Sequence, residues 1–283
     1  MINIFYCTDD KLFGQQVISL LSLVKYTNEP LNVINLTVEV PEYTPKGKKT
    51  SEAQTKYCDD ILKSKNKDSK FTTIDVSDLF RKYLFAGPNV HCKFYSYYVT
   101  VRLLADLIPE IPDKVIYLDS DVIFNNDIKE LWDIDITDYE FAGRRDSGRI
   151  TNYLQSGVML LNMAKIRQSG SFRECCRLCS TKKYFCYIDM GALNTACKPK
   201  KRIGTRYNSY KYSPNCVAHH VCATREGNIP FTKKWWHRIK IDETDWLVRK
   251  IPEYKELIDD YLDRMKKNPE LFTRAPKPEN WKN

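Results

Sequence analysis

Residues 114–121, KVIYLDSD, join a short apolar run to two aspartates one position apart. A run this short, rich in β-branched and aromatic side chains, reads as a strand buried on both faces of a parallel sheet. In open α/β sheets, ligands gather beyond the carboxyl ends of the strands, so Asp119-Ser120-Asp121 marks where chemistry is expected. Side chains two apart in extended or turn backbone point the same way. Asp119 and Asp121 therefore converge, with no basic residue between them, and a divalent cation would relieve their repulsion. Hard oxygen ligands with open positions suit Mn²⁺ or Mg²⁺, which in turn bridges phosphate oxygens. Asp-x-Asp by itself is common in loops; the strand ahead of it gives it weight.

Working outward, residues 2–7 (INIFYC) read as a strand, and 13–26 (FGQQVISLLSLVKY) as a helix with Val17, Leu20, Leu21 and Val24 on one face. Residues 33–40 (VINLTVEV) read as a second strand, 52–64 as a helix and 71–75 (FTTID) as a third strand. This βαβαβ order predicts an α/β fold, a Rossmann-like, mostly parallel sheet flanked by helices. Further on, the pattern predicts a helix over 94–107, a buried strand over 157–163 (GVMLLNM) and a helix over 188–197 carrying Asp189. A short strand over 214–222 (PNCVAHHVC) carries two histidines, and 252–267 forms an amphipathic helix with Pro252 in its first turn.

The composition is that of a globular chain: 283 residues, 42% apolar and 29% charged, which excludes a disordered segment. No stretch approaches the ~20 apolar residues of a membrane helix. The opening MINIFYC lacks the basic start and long apolar core of a leader, so a cytoplasmic protein is expected. The net charge of +9 is uneven: residues 198–283 hold 20 Lys+Arg against 11 Asp+Glu, leaving 25 against 25 in the rest. A basic last third suits a phosphate-bearing ligand, an anionic membrane surface or simply a solvated face.

The ten cysteines read mainly as reduced, buried thiols in a chain long enough to build its own core. Cys175-Cys176-x-x-Cys179 resembles half a zinc site, without a second pair at the usual spacing. His219 and His220 offer an imidazole to the aspartates, and imidazole favours Mn²⁺ over Mg²⁺; the other reading is a packed histidine pair. The run Lys233-Lys234-Trp235-Trp236-His237-Arg238 suits a diphosphate and a flat group, or a basic surface with a packed Trp.

Taken together, these blocks resemble the family 8 glycosyltransferases, the family of glycogenin and the bacterial lipooligosaccharide galactosyltransferases, in order over roughly residues 2–236. IFYCTDDKLFGQQVISLLSL is similar to the family's opening strand, Asp-bearing loop and helix. YVTVRLLADLIPEIPDKVIYLDSDVIFNNDIKELW is similar to its Arg helix and Asp-x-Asp strand. NYLQSGVMLLNM, IDMGALN, and VAHHV followed by KKWW are similar to its later motifs.

The resemblance implies a GT-A type fold and retaining transfer of glucose or galactose from a UDP-sugar. The acceptor would be a saccharide, glycolipid or glycoprotein, with Mn²⁺ as cofactor and no nucleic-acid partner. By position it implies that Thr8 and Asp9 contact the uridine and that Arg102 reaches the donor. Asp119, Asp121 and His219 would ligate the metal, with Asp119 also near the ribose. Asp146 and Gln155 would bind donor-sugar hydroxyls, Asp189 would lie by the sugar and acceptor, and Lys233 would meet the β-phosphate. His219 is preferred to His220 because family members place an aromatic or similar residue after the ligand.

The sequence also departs from the family pattern. Met190 stands where the family often has Gln, and a thioether cannot supply an amide oxygen. Gln155 stands for Asn, Lys234 for Pro, and residues 222–232 look like an inserted loop. Front-face departure and attack on one side fits this set better than a covalent intermediate, with Asp189 as nucleophile the alternative. Two other classes stay open: another Asp-x-Asp metal-dependent phosphotransfer or hydrolase enzyme, and a non-catalytic nucleic-acid or membrane-surface binder. Residues 1–245 are expected to form the catalytic domain and 246–283 an amphipathic helical tail, which would either touch an anionic membrane peripherally or cover the core.

Overall fold

The computed structural model describes residues 1–89, 96–146, 152–182, 187–224 and 240–277. Its first half follows the apolar periodicity: β1 (Ile2–Cys7), α1 (Phe13–Tyr26), β2 (Leu31–Thr37), α2 (Glu52–Lys65) and β3 (Lys70–Asp75). The start of α2 is fixed by a capping box in which Ser51 and Gln54 satisfy each other's backbone N–H. Next come α3 (Ser77–Tyr83), α4 (Tyr98–Val101) with a 3-10 continuation (Arg102–Leu107), β4 (Lys114–Leu118), β5 (Val122–Phe124) and α5 (Lys129–Trp132). The second half holds β6 (Phe141–Arg145), β7 (Leu154–Asn162), α6 (Met163–Ser169), α7 (Ser171–Thr181), α8 (Ile188–Ala196), β8 (Lys200–Ile203) and β9 (Ala218–His220). The helices α9 (Thr244–Lys250) and α10 (Lys255–Lys267) close it.

Seven strands form one sheet in the order β3-β2-β1-β4-β7-β6-β8. Strands β3, β2, β1 and β4 run parallel, β7 is antiparallel to both β4 and β6, and β8 is parallel to β6. Strand alternation divides the core into two layers. Ile2, Ile4 and Tyr6 face α1, α2 and α10, while Phe5 and Cys7 face the layer of the 3-10 turn, α7 and α8. The order reverses beside β4, so the aspartates at its end open onto a topological switch point.

Several expectations change. The helix expected over 94–107 is described only from Tyr98 and tightens to 3-10 at Arg102; Ile108, which precedes Pro109, is extended and ends it. The strand expected over 214–222 shrinks to Ala218–His220. Strands β6 and β8 and helix α7 were not anticipated. Cys175, Cys176 and Cys179 lie buried on α7 as free thiols, while Cys92 and Cys186 lie outside the described residues.

The C-terminal segment shares the main core. Ile258, Tyr261 and Met265 of α10, together with Phe272, pack into the same layer as α1. A Cβ on Gly14 of α1 would sit 2.7 Å from the Tyr261 hydroxyl, so the two elements meet where α1 has no side chain. Among the described residues, no helix is long and apolar enough to cross a membrane.

Candidate active site

The end of β4 is held in place by its neighbours. Asp119 N–H donates to the Gly157 carbonyl of β7 at 2.8 Å. Asp119 Oδ1 accepts from Tyr117 Oη at 2.5 Å and from Arg102 Nη2 at 2.8 Å. Arg102 is buried, lies 4.1 Å from the centre of the Tyr117 ring, donates from Nη1 to the Ser156 carbonyl at 2.6 Å, and reaches Asp189 Oδ2 at 3.5 Å. Asp119 and Asp189 thus pair with one guanidinium and Asp121 with the His220 imidazole, and three carboxylates against one permanent positive charge suit a cation.

His220 supplies the imidazole. Its Nε2 lies 3.1 Å from Asp121 Oδ1 and 3.6 Å from Asp119 Oδ2. Asn208 Oδ1 accepts from Nδ1 at 3.2 Å, and Arg144 Nη1 holds the Asn208 carbonyl at 2.7 Å. A histidine fixed through one nitrogen presents the other in a set direction, the usual arrangement behind a metal ligand. Strand β9 pairs with β5 so that His220 lies opposite Val122, next to Asp121. His219, one residue earlier in the same strand, points the other way. It is fully buried, stacks on Tyr254, and pairs Nδ1 with the Tyr254 hydroxyl at 2.8 Å. The expectation for His219 is therefore revised: the structure sets His220 against the carboxylates and His219 in the core.

The electrostatics follow this placement. Burial pushes the Asp119 carboxyl up, against the pull of Arg102 and His220. Burial acts on Asp121 in the same sense, but His220 overcomes it and holds that carboxyl below the ordinary range. Burial opposes charge on His220, yet Cys222 and Asp121 raise its pKa well above the usual value. Burial, with His220 beside it, lowers His219 to about 4, so that ring is neutral. The donor set of two carboxylates and one imidazole fits a divalent ion, which would take the place of the Nε2 proton.

Gly157 is what allows this cluster to close. A Cβ there would lie 2.2 Å from His220 Cε1, 2.6 Å from Nδ1 and 2.9 Å from Asp119 Oδ2. A glycine inside a buried strand often marks such a close approach.

The other expected residues line the same end of the sheet. Gln155 Nε2 donates to Asp146 Oδ1, joining the ends of β7 and β6. Asp189 lies in the first turn of α8, which Asn194 ties to β7 by a two-way amide bridge with Leu154, at 2.8 Å each way. Met190 is buried beside it. Thr8 is fully buried, with Oγ1 2.9 Å from Asn35 Oδ1 and 3.0 Å from Gln16 Oε1, so its side chain braces the end of β1. Asp9 accepts from Leu12 N–H at 2.9 Å and, raised by burial, borders a cleft of about 440 Å³ with Lys11, Thr44, Tyr97 and Arg274. Lys233 and the surrounding basic run lie outside the described residues. Sequence reasoning missed Asn208, Gly157 and Arg274. Only Gly157 carried a local signal, as the one glycine in the strand LQSGVMLLN.

A mixed, mostly parallel sheet with an aspartate pair at its switch point is the GT-A fold of nucleotide-sugar transferases, and the comparisons agree. The sequence model of Glycosyl transferase family 8 matches residues 3–219, so the chain belongs to that family. It is similar to a putative glycosyltransferase of Haemophilus influenzae, 23% identical over 73% of this chain and 63% of that protein. It is also similar to glycosyltransferase GlyB of Streptococcus pneumoniae, 25% identical over 48% of this chain and 41% of that one. The chain thus spans less than two thirds of the length of either relative. In fold it is similar to the galactosyltransferase LgtC, solved with donor and acceptor sugar analogs, with a TM-score of 0.58 at 17% identity over 99% of both chains.

Proposed function

We propose that this glycosyltransferase is a retaining enzyme that moves glucose or galactose from a UDP-sugar to a saccharide, glycolipid or glycoprotein acceptor, with Mn²⁺, or Mg²⁺, as cofactor. The observation that carries this reading is the convergence of Asp119 and Asp121 on His220 Nε2 at the end of β4. His220 takes the ligand role that the sequence reading gave to His219. A divalent ion held there would neutralise the diphosphate and make UDP a better leaving group.

The chain's own groups do the positioning. The cleft at Asp9, Tyr97 and Arg274 is the place for uridine. Arg102 keeps Asp119 oriented while presenting positive charge toward Asp189. The Asp146–Gln155 pair, with its amide already fixed, is suited to reading sugar hydroxyls. With Met190 in place of an amide, transfer proceeds on one face of the sugar. The bond from C1 to the phosphate oxygen breaks, the acceptor oxygen bonds to C1, and the acceptor proton passes to a departing phosphate oxygen. Such a route draws on held geometry and preorganised charge. Lys233 is assigned to the β-phosphate. The apolar face of α10 is taken up by the core, so contact with the inner face of an anionic membrane would use basic side chains alone.

A thermal-shift panel of UDP-, GDP- and dTDP-sugars, with and without Mn²⁺, tests the donor, because a ligand of the folded state raises the midpoint. UDP-sugars should shift it, and only with the metal. Equal shifts with GDP-sugars would remove the uridine assignment.

A further inference from the structure

Cys222 stands apart from the other described cysteines. Cys7, Cys58, Cys175, Cys176, Cys179, Cys197 and Cys216 are buried, while Cys222 is half-buried. It follows β9 by two residues on a short 3-10 turn, and that turn is fastened to the metal loop: Val221 N–H donates to the Asp121 carbonyl at 3.0 Å. One ligand atom each from Asp121, His220 and Cys222 lie within 4.8 Å of one another. Donors on one ion, at bonds of 2.0–2.3 Å, are at most about 4.4 Å apart. The three atoms are therefore close to bonding positions on a shared ion.

We propose that Cys222 is a ligand of the divalent ion, so that the site is a mixed oxygen, nitrogen and sulfur set. This rests on the reading of Asp119, Asp121 and His220 as a metal site and adds a residue to it. On binding, the thiol gives its proton to solvent and the thiolate takes the coordination position. A thiolate is a soft donor, so the site discriminates against Mg²⁺ and in favour of Co²⁺ and Zn²⁺ more strongly than carboxylates and imidazole would alone. His220 supports this geometry, because Asn208 holds its Nδ1 and Nε2 faces the Asp121 and Asp119 carboxylates.

The test is spectroscopic and needs no turnover. Co²⁺ is titrated into the full chain with UDP present. The wild type should show a sulfur-to-cobalt charge-transfer band in the near ultraviolet together with visible ligand-field bands. Cys222→Ser should lose the first and keep the second, with Co²⁺ affinity falling at least about tenfold, the low end of what a metal-site partner is worth. Mg²⁺ affinity should change less than about twofold, since a hard ion gains little from sulfur. Should the serine variant fold poorly, alkylation of the wild type gives the same answer: Zn²⁺ should protect Cys222 from a thiol reagent, read by peptide mass. Ligand-field bands without a charge-transfer band, or alkylation unaffected by Zn²⁺, would overturn the thiolate ligand and leave the metal site standing. No Co²⁺ binding at all would overturn both.

Discussion

Replacing Gly157 by alanine should disable the metal site from behind. The added Cβ would lie 2.2 Å from His220 Cε1, and ordinary van der Waals contact begins at 3.4 Å, so the ring must retreat by 3.4 − 2.2 = 1.2 Å or the strand must shift. The ring is held at both nitrogens. Its Nδ1 is held by Asn208 at 3.2 Å and its Nε2 faces Asp121 at 3.1 Å. Overpacking of this kind costs about 1–3 kcal/mol of stability. The functional loss should be larger, because a misplacement of about 1 Å at a reacting centre costs on the order of a hundredfold in rate. A transfer rate and a denaturant melt read the two losses, and calorimetry of UDP binding with Mn²⁺ reads the site itself. Gly157→Ala with wild-type Mn²⁺-dependent UDP affinity would refute the placement of His220 against the carboxylates.

Other outcomes follow from the same geometry. Asp121→Asn should cut transfer by at least about a hundredfold while circular dichroism stays native, since on the proposed reading the lost charge is a metal ligand and not packing; undiminished turnover would count against it. Asp242 is buried, accepts from Gln15 Nε2 at 3.2 Å, and is raised by burial to about 6 from 3.8. The folded state then holds its proton to higher pH than the unfolded state, so this group costs stability as pH rises from about 4 through 6. Asp242→Asn should recover about 3 kcal/mol at pH 7.5 and almost nothing near pH 4, as urea melts at the two pH values would show. Deleting 246–283 uncovers the contacts of Ile258, Tyr261, Met265 and Phe272. At about 1.5–3 kcal/mol for each buried side chain, the loss rivals the stability of a whole domain, so aggregation is expected. A monodisperse, UDP-binding truncation on size exclusion would show that the tail is dispensable.

What could be read ahead of the structure was what local pattern encodes. INIFYC and FGQQVISLLSLVKY become β1 and α1 with the expected bounds, and KVIYL ends where the aspartates begin. These segments are long or strongly apolar, so periodicity decides them. Strands β6 (FAGRR) and β8 (KKRI) escaped because they are short and basic, and helix α7 because its cysteines drew a metal reading. The choice between His219 and His220 turns on the pairing of β9 with β5, a contact across nearly a hundred residues that no local pattern carries. Alternation along a strand says that one of the pair faces the aspartates; register says which. Arg274 reaches the cleft of Asp9 for the same long-range reason. The family motifs identified the carboxylates and left their support by Gly157 and Asn208 to the fold.

The most direct test of the account is calorimetric titration of UDP into the full chain, once with Mn²⁺ and once in excess EDTA. Binding in the micromolar to millimolar range with the metal, abolished by the chelator and by His220→Ala but retained in His219→Ala, is the predicted result. UDP binding of equal strength with and without the metal, or loss of the metal dependence in His219→Ala alone, would contradict it.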